Sequence, residues 1–126
     1  MSRYRQRQMQ KHLQREIARL IRDEFTEPEF DMLSVTHVEV TPDYREATVY
    51  VSHIDTDPEV REEMIRLLKR REKEIRAGLA RDLDLKHIPG LRFREDTSIK
   101  EAARVTEILH ELEEEREKYD REEETG

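Results

Sequence analysis

Five histidines and one cluster of acidic residues are the side chains of this chain that could catalyse a reaction or bind a metal. The histidines stand at positions 12, 37, 53, 87 and 110, and no two of them have the HxH or HxxxH spacing of paired metal ligands. There is no cysteine, so thiolate sites and disulfides are excluded. No serine lies in a nucleophile-elbow context, and neither a P-loop nor a GxGxxG run is present. We therefore predict no cofactor and no metal, and a chain that is not an enzyme.

The acidic cluster consists of Asp23, Glu24, Glu27, Glu29 and Asp31. Two close carboxylates can act as acid and base, so this cluster is the one feature that supports a small hydrolase or transferase. A solvated loop at the end of a helix explains the same residues with fewer assumptions. We favour the loop.

Charge is distributed unevenly along the 126 residues, which carry a net charge of −7. From Glu111 to the last residue there are nine acidic and three basic residues, a net charge of −6. From the first residue to Arg22 there are seven basic residues and one acid, and from Arg66 to Arg76 six basic residues and two acids. The sequence therefore predicts two basic segments and an acidic tail.

The first basic segment has helical periodicity from about residue 3 to residue 25. Met9, Leu13, Ile17 and Leu20 recur at spacings of three and four residues, and Pro28 ends the pattern. At about 100° per residue the basic side chains fall on the opposite side. These basic residues are Arg7, Lys11, Arg15, Arg19 and Arg22.

Two alternating segments, residues 33–41 and 45–53, predict an antiparallel hairpin. Leu33 and Val35 are out of phase with Val38 and Val40, which predicts a β-bulge near residues 36–37. Between the segments, Pro42 is placed for a tight turn.

A long helical stripe follows, with Asp57 as its predicted N-cap and Pro58 at its first position. Arg71 projects onto the apolar side, and Gly78 stands within the pattern. We infer a kink or break near Ala77–Gly78 that divides the stripe into two helices.

Pro89-Gly90 marks a further break, and residues 91–94 form a short alternating strand. Thr97 or Ser98 caps a last helix that extends to Leu112. A strand that follows a helical pair needs a crossover connection, so the order predicts a small three-stranded mixed sheet with helices on one face, an α+β fold.

The basic stripes favour RNA binding over an ordinary solvated face. The first helix carries charges of almost one sign, whereas a solvated face mixes signs. The second stripe leads into the predicted kink, where a new helix would offer free backbone N–H groups to a phosphate. Tyr4, Tyr44 and Tyr50 are the aromatic side chains that could stack on bases. The predicted RNA-binding residues are Arg3, Arg5, Arg7, Lys11, Arg15, Arg19, Arg22, Arg66, Lys69, Arg70, Lys73, Arg76 and Lys86.

Three segments resemble one known family. The run VEVTPDYREATVYVS from Val38 to Ser52 is similar to the central signature of bacterial ribosome-binding factor A. Ile75-Arg76, the run LKHIPGLRF from Leu85 to Phe93, and Asp96-Thr97-Ser98 resemble its other signature. The basic first helix and the EPEF turn at residues 27–30 match a third, and together they cover about residues 3–112.

The resemblance implies a KH-like domain of the second topological type, with a kinked helix–helix junction in place of the GxxG loop. The family commonly has an Ala-x-Gly arrangement at the kink, whereas this chain has Ala77-Gly78-Leu79-Ala80. The kink residues would then be Ala77, Gly78 and Ala80. The resemblance also implies a factor that binds immature 30S subunits, supports maturation of 16S rRNA and helps growth in the cold.

On this interpretation, residues 1–112 form the KH-like ribosome-binding domain, and residues 113–126 form an acidic tail that is either a helical extension or disordered. The expected partners are the small ribosomal subunit and its rRNA, with no membrane and no small-molecule substrate. We expect a cytoplasmic location, since no secretory signal or membrane span is visible. We also expect the chain to be a monomer. The alternative is a protein-interaction module in which the sheet or the charged last helix binds another protein and RNA binding is incidental.

Overall fold

The computed structural model describes residues 2–96, in which three helices, one 3₁₀ turn and three strands follow in the predicted order. The helix predicted from Thr97 or Ser98 to Leu112 and the acidic tail lie outside the described residues. The division at residue 112 therefore stays a prediction. The elements are α1 (Ser2–Glu24), a 3₁₀ turn (Pro28–Phe30), β1 (Leu33–Val40), β2 (Glu46–His53), α2 (Pro58–Arg70), α3 (Glu72–Asp82) and β3 (Gly90–Glu95).

The sheet has the order β1-β2-β3, with β1 antiparallel and β3 parallel to the central strand β2. The register shifts between Val35 and His37, which confirms the predicted bulge. Because the bulge adds one residue to β1, Val35 lies opposite Val51 and Val38 lies opposite Val49. Apolar residues before and after the bulge therefore point to the same side of the sheet.

The β1–β2 turn is held by its own polar groups. The Tyr44 N–H donates to the Thr41 carbonyl at 2.9 Å. The Asp43 carboxylate accepts the Thr41 hydroxyl at 2.7 Å and the Arg45 N–H at 3.1 Å. These two hydrogen bonds, with the Thr41 hydroxyl as the larger contribution, lower the pKa of Asp43. The predicted tight turn is confirmed.

The helices cover one face of the sheet, because the apolar stripes of α1, α2 and α3 all need burial against the same strands. The Asp57 carboxylate accepts the Glu59 N–H at 3.0 Å, so α2 begins at its predicted cap. The opposite face of the sheet carries mostly polar side chains. The fully buried core includes Leu13, Ile17 and Leu20 of α1, Val38, Val49 and Val51 of the sheet, Met64 and Leu68 of α2, and Ile75 and Leu79 of α3.

The predicted kink at Ala77, Gly78 and Ala80 is wrong, because α3 runs unbroken from Glu72 to Asp82 through all three residues. The need for glycine at position 78 comes from packing instead. A Cβ built on Gly78 would lie 2.7 Å from Cδ2 of Leu20, which is fully buried in α1. Gly78 therefore allows α1 and α3 to approach each other closely.

The helical pair breaks at Arg71, whose backbone has φ −90° and ψ 0°. In a continuous helix this side chain would point into the core, where an unpaired charge is costly. At the break, its guanidinium instead lies 5.2 Å from the centre of the Phe25 ring and pairs with the Glu27 carboxylate. The position of Arg71 on the apolar side is the sequence signal that marks this break.

Candidate nucleic-acid interface

Three glutamines fix the orientation of α1 on the sheet. Gln6 donates from Nε2 to the Val40 carbonyl at 2.5 Å, and Gln10 Oε1 accepts the Val40 N–H at 3.0 Å. One turn later, Gln14 donates from Nε2 to the carbonyls of Val35 and Thr36, each at 3.2 Å. Residues four apart lie on one helix face, so this ladder pairs the edge of β1 and sets the rotation of α1. The spacing of the three glutamines at positions 6, 10 and 14 is the sequence signal for this ladder.

This rotation leaves the basic side chains of the first half of α1 facing solvent. Arg3, Arg7, Lys11 and Arg15 are all exposed. Within residues 3–96, none of them has a carboxylate oxygen within 4 Å of its charged group. The outer face of α1, defined by these four residues, is therefore a row of positive charges that residues 3–96 leave uncompensated.

The second half of α1 has a different electrostatic environment. Arg19 pairs with Glu16, with Asp82 of α3 at 2.5 Å and with Asp23 at 3.8 Å. These contacts, led by the hydrogen bond to Glu16, raise the pKa of Arg19. Arg22 pairs with Asp23 at 2.9 Å, and that hydrogen bond raises the pKa of Arg22 and lowers that of Asp23. The structure thus places two predicted RNA-binding residues in ion pairs.

The α1–α3 contact is built around the same ion pairs. Arg81 of α3 reaches Glu24 of α1 at 2.5 Å and Asp82 at 2.9 Å. The hydrogen bond from Arg81, assisted by the charge of Arg19, lowers the pKa of Asp82 to about 2. The cluster therefore joins two helices and neutralises its own charges.

The second basic stripe divides in the same way. Lys69, Arg70 and Lys73 flank the α2–α3 break and are exposed, without a carboxylate within 4 Å in the described chain. Arg66 instead pairs with Glu63 at 2.7 Å. Arg76 is half-buried and donates to the Ile88 carbonyl at 3.1 Å, so it supports the loop before β3.

Two sets of backbone hydrogen bonds bridge the break. The Arg71 N–H donates to the carbonyls of Leu67 and Leu68, and the Ile75 N–H donates to the Arg71 carbonyl at 2.9 Å. Two acids, Glu72 and Glu74, stand in the first turn of α3. The carboxylates of these two acids repel an anion at this helix start, so the exposed cations beside the break are the groups of the junction that favour RNA.

The acidic residues at positions 23–31 do not converge on a catalytic centre. Glu27 pairs with Arg71, and Asp23 pairs with Arg22. Among residues 2–96, no group of three or more histidine, aspartate or glutamate side chains is placed to hold a metal ion. In the same part of the chain, no helix is both long and apolar enough to span a bilayer.

Comparison with known proteins identifies the family. Residues 5–109 match the family model of Ribosome-binding factor A. A relative from Syntrophomonas wolfei with that name is 35% identical over 117 residues, which are 91% of this chain and 95% of the relative. The family model matches nearly the same range, about residues 3–112, over which the three motifs are distributed.

Two structural comparisons agree with the sequence match. The crystal structure of ribosome-binding factor A from Thermus thermophilus superposes with a TM-score of 0.64 at 27% identity, covering 71% of this chain and 93% of that one. Coordinates of the Thermus thermophilus factor fitted into an electron cryo-microscopy map of a 30S complex give 0.59 at 27% identity, covering 70% and 91%. The predicted KH-like fold of the second topological type is thereby confirmed. The chain belongs to the ribosome-binding factor A family, a family of non-catalytic ribosome assembly factors.

Proposed function

We propose that this chain binds the small (30S) ribosomal subunit during its assembly and contacts 16S rRNA with the outer face of α1. The observation that carries the proposal is the row of exposed cations formed by Arg3, Arg7, Lys11 and Arg15, which have no carboxylate partner in the described part of the chain. The Thermus factor in complex with a 30S subunit supports the choice of partner.

The geometry of the row suits a phosphate backbone. At 1.5 Å per residue, Arg7 and Arg15 are separated by roughly 12 Å along the helix axis. Several phosphates can therefore be contacted at once, with release of the counterions that surround the RNA. The glutamine ladder holds α1 rigidly on the sheet, so few degrees of freedom of the helix are lost on binding.

A second contact comes from the cations beside the α2–α3 break. Lys69, Arg70 and Lys73 extend the positive surface, and Lys86 adds a charge between α3 and β3. Among the predicted RNA-binding residues, Arg19 and Arg76 act through the fold, since their guanidinium groups bind other parts of the protein. Arg66 and Arg22 contribute less, because each already has a carboxylate partner.

The acidic tail stays off the nucleic acid, because the net charge of −5 on residues 113–126 is repelled by phosphates. A chain lacking residues 113–126 should therefore keep its affinity for RNA or gain some. Loss of small-subunit binding in that truncated chain would favour the protein-interaction alternative.

Co-sedimentation with free small subunits at low and high salt tests the proposal. We expect the monomeric full chain to pellet with small subunits at low salt and to dissociate steeply as salt rises, as binding through several phosphates requires. Absence from the small-subunit fraction at low salt would contradict the proposal.

A role in the maturation of 16S rRNA is tested in cells that depend on this chain. Depletion should increase the fraction of precursor 16S rRNA, and the increase should be larger in the cold. Unchanged precursor levels at both temperatures would limit the function to binding.

A further inference from the structure

An apolar cleft lies beside the basic face of α1. It has a volume of about 750 Å³ and is bounded by the first half of α1, the β1–β2 turn and the segment from Leu83 to Lys86. Met9, Leu13, Leu83 and Leu85 line it. On a chain in which 44% of residues are charged, an open recess of this composition is a candidate binding site.

The aromatic wall of the cleft is Tyr44, whose backbone has φ 61°. Among the described residues, no other non-glycine residue has a positive φ. This conformation is unfavourable for a bulky side chain, so the surrounding structure must hold it in place. The turn does so through the Thr41 and Asp43 hydrogen bonds, and the Gly90 N–H donates to the Arg45 carbonyl at 2.9 Å, tying the turn to β3. The half-buried ring is thus a fixed wall of the cleft.

The rim of the cleft is mainly positive. Arg5 and Lys86 stand at the rim with His12, and Asp84 is the one acid among the residues that line it. Arg5 and Lys86 are exposed, and within residues 3–96 neither has a carboxylate within 4 Å. Arg5 and His12 belong to α1, so the rim continues into the helix that carries Arg7 and Lys11. This charge favours a polyanion over an apolar peptide as the ligand.

We propose that this cleft binds one unpaired nucleobase of RNA, stacked on the Tyr44 ring, while Arg5 and Lys86 contact the adjoining phosphates. Apolar surface, a fixed aromatic ring and flanking cations together are what the recognition of a splayed-out base requires. The proposal rests on the proposed function and adds to it: the outer face of α1 supplies affinity for any RNA, and the cleft selects RNA with an unpaired nucleotide.

Two RNA hairpins of the same stem sequence test the proposal, one fully paired and one with a single-nucleotide bulge. We expect the full chain to bind the bulged hairpin about tenfold more tightly, as stacking of one base implies. Tyr44→Asn removes the ring while asparagine tolerates the left-handed backbone, and this variant should bind both hairpins equally. Tyr44→Phe keeps the ring and should keep the preference.

A placement experiment gives a second readout. With 4-thiouridine in the bulge, irradiation should crosslink the RNA to peptides that contain Tyr44 or residues 83–86. The matched control is His37→Thr, which removes an exposed ring from the open face of the sheet. We expect this variant to bind the paired and the bulged hairpin with the affinities of the unmodified chain. Crosslinks confined to other peptides, or equal losses from the His37 and Tyr44 variants, would overturn the cleft proposal.

Failure of the cleft and failure of the proposed function give different results. Reversal of Arg7, Lys11 and Arg15 to Glu should weaken binding of both hairpins, since it acts on phosphate contacts. Equal binding of the two hairpins, unaffected by Tyr44→Asn, would overturn the cleft proposal alone. Absence of binding to either hairpin and to small subunits would overturn both proposals.

Discussion

The two halves of α1 differ in how they attach to the rest of the protein. The first half attaches to β1 through neutral amides of Gln6, Gln10 and Gln14. The second half attaches to α3 through ion pairs, Arg19 with Asp82 and Glu24 with Arg81. Neutral contacts leave the basic side chains of the first half uncompensated, whereas ion pairs neutralise those of the second half.

This difference shows why a count of basic residues overestimates the number of positive charges that are available to bind RNA. The helix carries the same residue type at the same periodicity along its whole length, yet its carboxylate partners lie in the second half and in α3. Positive charge is available to RNA where the fold anchors the helix by other means. Substitutions in each half of α1 test this difference, because those in the first half should weaken RNA binding and those in the second half should lower stability.

The largest expected effect comes from reversing the first half. Arg7→Glu, Lys11→Glu and Arg15→Glu together should lower the affinity for small subunits by roughly 100-fold at low salt, because attractive phosphate contacts become repulsive. The free energy of unfolding should change by less than about 1 kcal/mol, since the side chains are exposed. Equilibrium binding and urea unfolding measure the two quantities.

A matched control reverses three other exposed arginines. Arg45, Arg92 and Arg94 lie in the turn and on β3 and are exposed. Their reversal to Glu changes the net charge by the same amount and should have a much smaller effect on affinity. Equal losses from the two triple variants would mean that overall charge, not the outer face of α1, determines binding.

In the second half, packing against α3 should matter more than charge. Gly78→Val forces side-chain atoms into the buried Leu20 and should destabilise the fold by about 2 kcal/mol, a typical cost of overpacking. Urea unfolding measures the loss. In a Leu20→Ala background, Gly78→Val should lower the free energy of unfolding by less, because the smaller alanine side chain leaves room for the valine. An unchanged loss in that background would mean that the valine clashes with a residue other than Leu20.

Single neutral substitutions compare neighbouring turns of α1 directly. Arg15→Gln should reduce the slope of log affinity against log salt by about one, since one phosphate contact is lost. Arg19→Gln should leave that slope unchanged and instead lower the urea midpoint of unfolding, because its guanidinium joins α1 to α3. If Arg19→Gln reduced the salt slope and Arg15→Gln lowered the urea midpoint, the proposed difference between the two halves of α1 would be wrong.

The smallest expected effect is acid sensitivity of the α1–α3 contact. The pKa of Asp82 is lowered to about 2, chiefly by its hydrogen bond from Arg81. Its contribution to stability is therefore present above the unfolded pKa of about 4 and is lost as pH falls toward 2. Unfolding measured across this range should depend less on pH in Asp82→Asn than in the unmodified chain, and a high salt concentration should diminish the difference.

Local patterns were enough to predict much of the framework. Asp57-Pro58 specified the start of α2, and the phase change between Val35 and Val38 specified the bulge. Each of these features depends on neighbours in sequence. The break between α2 and α3 was placed wrongly because glycine within a helix has two explanations, a break or a close approach, and only the position of Leu20 distinguishes them.

Periodicity and the order of the elements were therefore determined by the sequence itself, as were the basic character of α1 and the family resemblance. Tertiary structure decided which of those basic residues remain available, because carboxylates distant in sequence, such as Asp82 for Arg19, come within reach only in the folded chain. It also decided that Tyr44 faces a cleft, since α1, the β1–β2 turn and the segment after α3 meet there. Both outcomes depend on contacts between separate elements, and the pattern within a single element does not contain them.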